Sequence, residues 1–197
     1  MKRTWLLTLV MITTLAAGAH AATGAIWGGM NGGISMPFGH FSDKASTGFT
    51  LGLIGEYMKN DSWAFGGELG WHKFGGNDDL EKSESARLGV PVNFTVRAIP
   101  ITAHAKYLLP PSERIAPFVK AGLGFYNLKF KTDAGTLGDR DKSETDFGFQ
   151  VGGGFNFKST GNVAFGTELL YHYISTETQA SNMFTLRVQL LFAVAGQ

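Results

Sequence analysis

The chain has 197 residues, with 17 Lys+Arg against 16 Asp+Glu, 27 glycines and no cysteine. The absence of cysteine excludes a disulfide framework, Cys-ligated zinc or iron–sulfur centres and a lipidated lipoprotein cysteine. A formal charge of +1 gives no electrostatic footprint for nucleic acid, so no nucleic-acid partner is expected. Glycine is present at roughly twice its usual share, while 44% hydrophobic residues exclude intrinsic disorder.

Lys2 and Arg3 precede an apolar run from Trp5 to Ile12 that fades toward Ala17, and Ala19-His20-Ala21 fits an A-x-A cleavage site. This reads as a secretory signal peptide over residues 1–21, its apolar core shorter than the roughly 20 residues a spanning helix needs. Residues 22–197 then form one domain. No later stretch is apolar enough to cross a bilayer as a helix, so any crossing must use strands.

From there the chain counts in twos, the period of strands with unlike faces. In chain order the pattern predicts strands over 26–36, 47–58, 63–74, 94–109, 116–130, 147–158, 163–174 and 183–192. The alternation is sharpest in Phe49/Leu51/Leu53/Gly55/Tyr57, in Phe147/Phe149/Val151 and in Phe184/Leu186/Val188/Leu190/Phe192. Pro100 lacks a ladder donor, which predicts a bulge or a locally unpaired edge there. More than half of the chain is thus strand, a content expected of a closed barrel and suspect in an ordinary domain.

The connections alternate in length. Those at 59–62, 110–115 and 159–162 are short and carry turn chemistry, such as Lys59-Asn60-Asp61-Ser62 and Pro110-Pro111-Ser112-Glu113. Those at 37–46, 75–93, 131–146 and 175–182 are longer and polar. An even number of antiparallel strands, with tight turns at one end and loops at the other, is the layout of an all-β, eight-stranded, antiparallel up-and-down transmembrane β-barrel with both termini periplasmic.

The outward direction of the apolar face follows from two observations. The polar face carries ionisable groups at mid-strand, and the apolar face gathers aromatics at its ends: Tyr57, Trp63, Tyr107, Phe157 and Phe192 below, Trp71, Phe147, Tyr171, Tyr173 and Phe184 above. Two aromatic bands around an aliphatic centre mark the two interfaces of a membrane. The lumen then receives Glu56, Glu68, His72, His104, Lys106, Lys120, Gln150, Glu168, His172, Arg187 and Gln189. Unpaired ions in such a place are costly, so a structural network of ion pairs and hydrogen bonds is expected, with Glu168–Arg187 as its best single pair.

Two stretches resemble the small outer-membrane barrel family that includes OmpX, Ail and the transmembrane domain of OmpA. These are Pro117-Phe118-Val119-Lys120-Ala121-Gly122-Leu123-Gly124-Phe125-Tyr126 and the closing strand Phe184 to Phe192. The second resembles the terminal signal read by the barrel-assembly machinery, although Ala193-Val194-Ala195-Gly196-Gln197 follow where relatives commonly stop on the aromatic. The resemblance implies outer-membrane residence amid membrane lipid and lipopolysaccharide. It also implies a non-enzymatic structural or cell-surface role, with an extracellular partner at the loops 75–93 and 131–146.

Other chemistry fits less well. His172 and Ser175 are similar to the His/Ser pair of lipid A deacylases, but three positions apart in one strand they face opposite sides. His72, His104 and His172 come from separated strands at what counting along each strand puts at different heights, so no metal site is expected. The glycine runs precede no helix, so no phosphate cradle and no cofactor are expected. A narrow conduit for small or apolar solutes, as in OmpW-like barrels, remains the alternative function, and a soluble ligand-binding barrel the alternative fold.

Overall fold

A computed structural model of the chain describes residues 23–112, 115–134, 138–157, 162–176 and 179–195. The proposed signal segment, 1–21, lies outside the described residues. The strands are β1 (Ile26–Phe38), β2 (Ala45–Met58), β3 (Trp63–Gly76), β4 (Asn93–Leu108), β5 (Ile115–Asp133), β6 (Asp139–Phe157), β7 (Val163–Ser175) and β8 (Ser181–Ala195). Each pairs antiparallel with its sequence neighbours and β8 closes on β1, so the barrel is the eight-stranded up-and-down one expected.

The register fixes the geometry. Stepping from Val119 on β5 through Gly153, Leu169, Leu186, Ile34, Phe49, Lys73 and Arg97 returns to β5 at Lys129, ten residues higher. A shear of 10 on eight strands implies a tilt of roughly 40–45° and an interior filled by side chains. The wall is apolar on the outside: Leu53, Ile101, Phe125 and Val188 are about 60% exposed, whereas the mid-barrel ions of the inner face, Glu56, Glu68, Lys106, Lys120, Glu168 and Arg187, are buried. A belt of that size facing water would be an aggregation surface; facing acyl chains it is satisfied.

At the short-turn end, the Asn60 side-chain oxygen accepts from the backbone N–H of Ser62 and Trp63 at 3.0 and 2.8 Å, a local alternative to strand pairing that closes the β2–β3 turn. Pro100 pairs in register with Tyr126 on β5, while the β3–β4 ladder lapses between Leu69↔Ile101 and His72↔Ala98. The missing donor thus leaves a local gap toward β3, with no bulge. Gly70 lies opposite, where a Cβ would come within 2.7 Å of the Pro100 ring.

Two loop boundaries need correction. The segment 131–146, expected as a loop, is a hairpin: β5 runs on to Asp133 and β6 starts at Asp139. Its own strand residues, 131–133 and 139–146, are all polar in sequence, so the hydrophobic alternation that marks a strand ends where the lipid ends. Cross-strand contacts hold it instead, among them Lys129 Nζ to Asp141 Oδ2 at 2.9 Å and Asn127 Nδ2 donating to Thr145 Oγ1 at 2.9 Å. At the other end of the chain β8 continues past Phe192 to Ala195, pairing with β1 across an irregularity at Ile26/Trp27.

The segment 75–93 contains an α-helix, α1 (Asp78–Leu88). Asn77 caps it by accepting from Asp79 N at 3.0 Å and Leu80 N at 3.3 Å, three acids occupy the first turn, and Gly89 ends it with φ of 71°. No residue of α1 is buried, so polar straps tie it to the rim. Glu81 accepts from Phe94 N at 2.6 Å, Ser85 accepts from Val92 N at 2.8 Å, and Asn77 Nδ2 donates to Ser42 O at 2.9 Å. Asn77→Ala should therefore cost the helix about 1 kcal/mol. Hydrogen exchange should quicken over 78–88 while the strand amides keep their protection.

Candidate functional site

The inner face is layered along the axis. At the short-turn end Ala25, Trp27, Ile54, Met58, Ala64 and Leu191 pack into an apolar cluster. Above it Glu56 pairs with Lys106, and His104 Nε2 lies 3.2 Å from Glu56 Oε1. Lys106 Nζ also sits 4.5 Å above the Phe118 ring, a cation–π contact that fits a buried ammonium. Gln189 Nε2 donates to Asn156 Oδ1 at 2.8 Å at the same level.

The middle layer is a neutral quartet. Arg187 reaches Glu68 with both terminal nitrogens, Nη2 to Oε2 at 2.7 Å, and reaches Glu168 Oε1 with Nε at 2.6 Å. Lys120 Nζ lies 3.1 Å from Glu68 Oε2 and 3.5 Å from Glu168 Oε2. Glu168 and Arg187 are direct cross-strand partners on β7 and β8. Gln150 donates to Thr102 Oγ1 at 3.2 Å beside them. All four ions are buried, two acids against two bases, so the layer carries no net charge.

The next layer holds His72 and His172. Their ring centroids are 5.7 Å apart and edge-on, which corrects the expectation that all three lumenal histidines sit at different heights. The tilt of the strands is the reason, because height cannot be counted along one strand alone. His72 Nδ1 lies 2.8 Å from Ser35 Oγ, and the Tyr126 hydroxyl lies 3.0 Å from His172 Nδ1. His104 is in the lower layer, on Glu56. Among the described residues no cluster of three or more His, Asp or Glu is arranged to hold a metal ion.

Sequence reasoning missed the cap of this stack. Phe41, Ala45, Phe74, Val96, Ala98, Tyr126, Leu128, Ile174 and Met183 form a second apolar cluster at the long-loop end. Phe41 enters from the short turn Gly39–Phe41 and meets Phe74 edge to face, centroids 5.3 Å apart. Both rings are essentially without solvent contact. The signal was present, since Phe74, Tyr126 and Ile174 stand at inward positions where a water-filled lumen calls for polar residues. Above this plug lies a shallow cleft of about 130 Å³ lined by His40, Lys44, Phe130, Lys142, Glu144 and Gln179, among others.

Comparison with known proteins agrees with this architecture. A family model described as "Outer membrane protein beta-barrel domain" matches residues 7–192. The chain is similar to the crystal structure of Neisserial surface protein A, with a TM-score of 0.56 and 18% identity over 88% of this chain and 99% of that one. It is similar to OprG from Pseudomonas aeruginosa, with a TM-score of 0.55 and 14% identity over 88% and 98%. Ail of Yersinia pestis, solved in complex with the heparin analogue sucrose octasulfate, gives a TM-score of 0.50 and 17% identity over 86% and 99%. At these identities the likeness is one of fold. No curated protein matches the chain.

Proposed function

The chain belongs to the outer membrane protein β-barrel family, and from that premise we propose that it is a non-enzymatic barrel of a Gram-negative outer membrane. It acts through its outer end, as a structural or cell-surface interaction protein. Residues 1–21 direct it across the inner membrane and are removed, and the barrel-assembly machinery inserts it among membrane lipid and lipopolysaccharide.

The observation that carries this reading is the filled lumen: an ion quartet between two apolar plugs, one around Trp27 and Met58, the other around Phe41 and Phe74. A solute path would have to cross both plugs and desolvate at the charges between them. What is left for interaction is the rim. There β6 above Phe147 pairs only with β5 among the described residues, so the backbone of residues 139–146 offers an edge with which an extended segment of a partner can pair. Helix α1, in the 75–93 segment, adds a polar surface with no buried residue.

The lipid A-hydrolase alternative lacks its pair. His172 is buried against Tyr126 inside, while Ser175 is exposed at the end of β7. The Ser35–His72 contact is sealed within the lumen, out of reach of a lipid.

Planar-bilayer recording of the refolded barrel tests the reading. No reproducible conductance steps are expected. Steps that appear in the wild type and vanish in Arg187→Ala would restore the conduit.

A further inference from the structure

Just above the apolar belt, the outward positions of β3, β4 and β5 change from Trp71, Ile99 and Phe125 to Lys73, Arg97 and, after Asn127, Lys129. These three cations are register partners, Lys73↔Arg97 and Arg97↔Lys129, so they stand side by side across three strands, about 10 Å from first to last. Lys131 follows one outward step higher. Among the described side chains, the acids on this wall are Asp141, ion-paired with Lys129 at 2.9 Å, and Asp133 at the top of β5, against four cations. Neither Lys73 nor Arg97 has a hydrogen-bonded or ion-paired partner among the described residues. The Asp141 carboxyl is held below its ordinary range by the Lys129 hydrogen bond, with the charges of Lys129, Lys131 and Arg97 adding to it.

The patch is one-sided. On the remaining strands the first outward positions above the belt are Met36, Thr47, Thr145, Ser175 and Asn182, none of them charged. Below the patch the wall is apolar, and among Leu69, Ile101 and Leu123 it is relieved by the small outward residues Gly67, Ala103, Ala105 and Ala121. Cations at the interface over a shallow apolar furrow complement one amphiphile: an anionic head carried on acyl chains.

We propose that Lys73, Arg97 and Lys129 bind the phosphates of a phosphorylated glycolipid of the outer leaflet, whose acyl chains lie down over Leu69, Ile101 and Leu123. Arg97, central and planar, supplies the bidentate contact, and the flanking lysines supply point charges. The inference rests on the outer-membrane orientation proposed above, with the loops outside.

The test uses the folded full barrel in detergent micelles, its fold checked by heat-modifiable gel mobility, and bisphosphorylated lipid A as probe in native mass spectrometry. The wild type should retain one lipid A, and the triple variant Lys73→Gln, Arg97→Gln, Lys129→Gln should bind roughly 100-fold more weakly, each basic residue at a charged surface contributing about a fivefold factor. Lys59→Gln, at the opposite end, should bind as the wild type does. A folded triple variant that keeps its lipid overturns the proposal, as does equal retention of a dephosphorylated lipid A. Displacement by millimolar inorganic phosphate would make the patch a site for free anions and overturn the lipid assignment. A chain with no mobility shift would fail at the membrane placement itself, a result distinct from a folded barrel that ignores lipid.

Discussion

Arg187→Met is expected to lower the unfolding free energy of the barrel by about 3–5 kcal/mol, the range for breaking a buried pair from one side. Methionine fills much of the space, so the loss is mainly electrostatic. Without the guanidinium, Glu68 and Glu168 share a single lysine, Lys120, and the buried layer acquires a net negative charge. Adding Glu168→Gln should restore neutrality with a Glu68–Lys120 pair and recover part of the loss. The double variant is then more stable than the single one, a coupling that packing damage cannot produce. Arg187→Lys should rescue poorly, because one ammonium cannot span two carboxylates as the planar fork does. Urea unfolding in phospholipid vesicles, followed by gel mobility, measures each step. A cost below 1 kcal/mol for Arg187→Met would mean that water screens the quartet and that the lumen is open.

The belt was legible in the sequence because lipid and lumen impose opposite demands on successive residues. Phe147 to Val151 and Phe184 to Phe192 state that contrast without help from tertiary context. Above the belt the contrast disappears: Lys131 and Asp141 are polar, and so are Thr132 and Lys142 beside them on the other face, so the β5–β6 hairpin had no period to reveal it. Helix α1 was missed for a related reason. Its cap signals, Asn77 and Gly89, were present, but a helix that buries nothing has no apolar stripe to find. The layering of the lumen depends on shear. Phe74, Ile174 and Met183 form one plug, and His72 meets His172, only because each strand is displaced along its neighbour, a quantity that emerges from eight registers together.

Leu53→Arg probes the other face. Leu53 is 61% exposed at the middle of β2, between Met30 and Leu69 in register, both also outward and exposed. Phe49 lies four positions above and Tyr57 four below, about 13 Å along the strand in each direction. A guanidinium at Leu53 is therefore set deep in the hydrocarbon, far from either interface. The expected cost is about 2–4 kcal/mol in vesicles, together with slower insertion. Natural cations on this wall, Lys73 and Arg97, occur only where the belt has ended, which is the same rule read from the native chain. Leu88→Arg on α1, also a partly exposed leucine but outside the barrel, should change stability by no more than about 0.5 kcal/mol. If Leu53→Arg unfolded at the wild-type urea midpoint, the wall around Leu53 would not be in contact with lipid, and the outward assignment of the apolar face would fail with it.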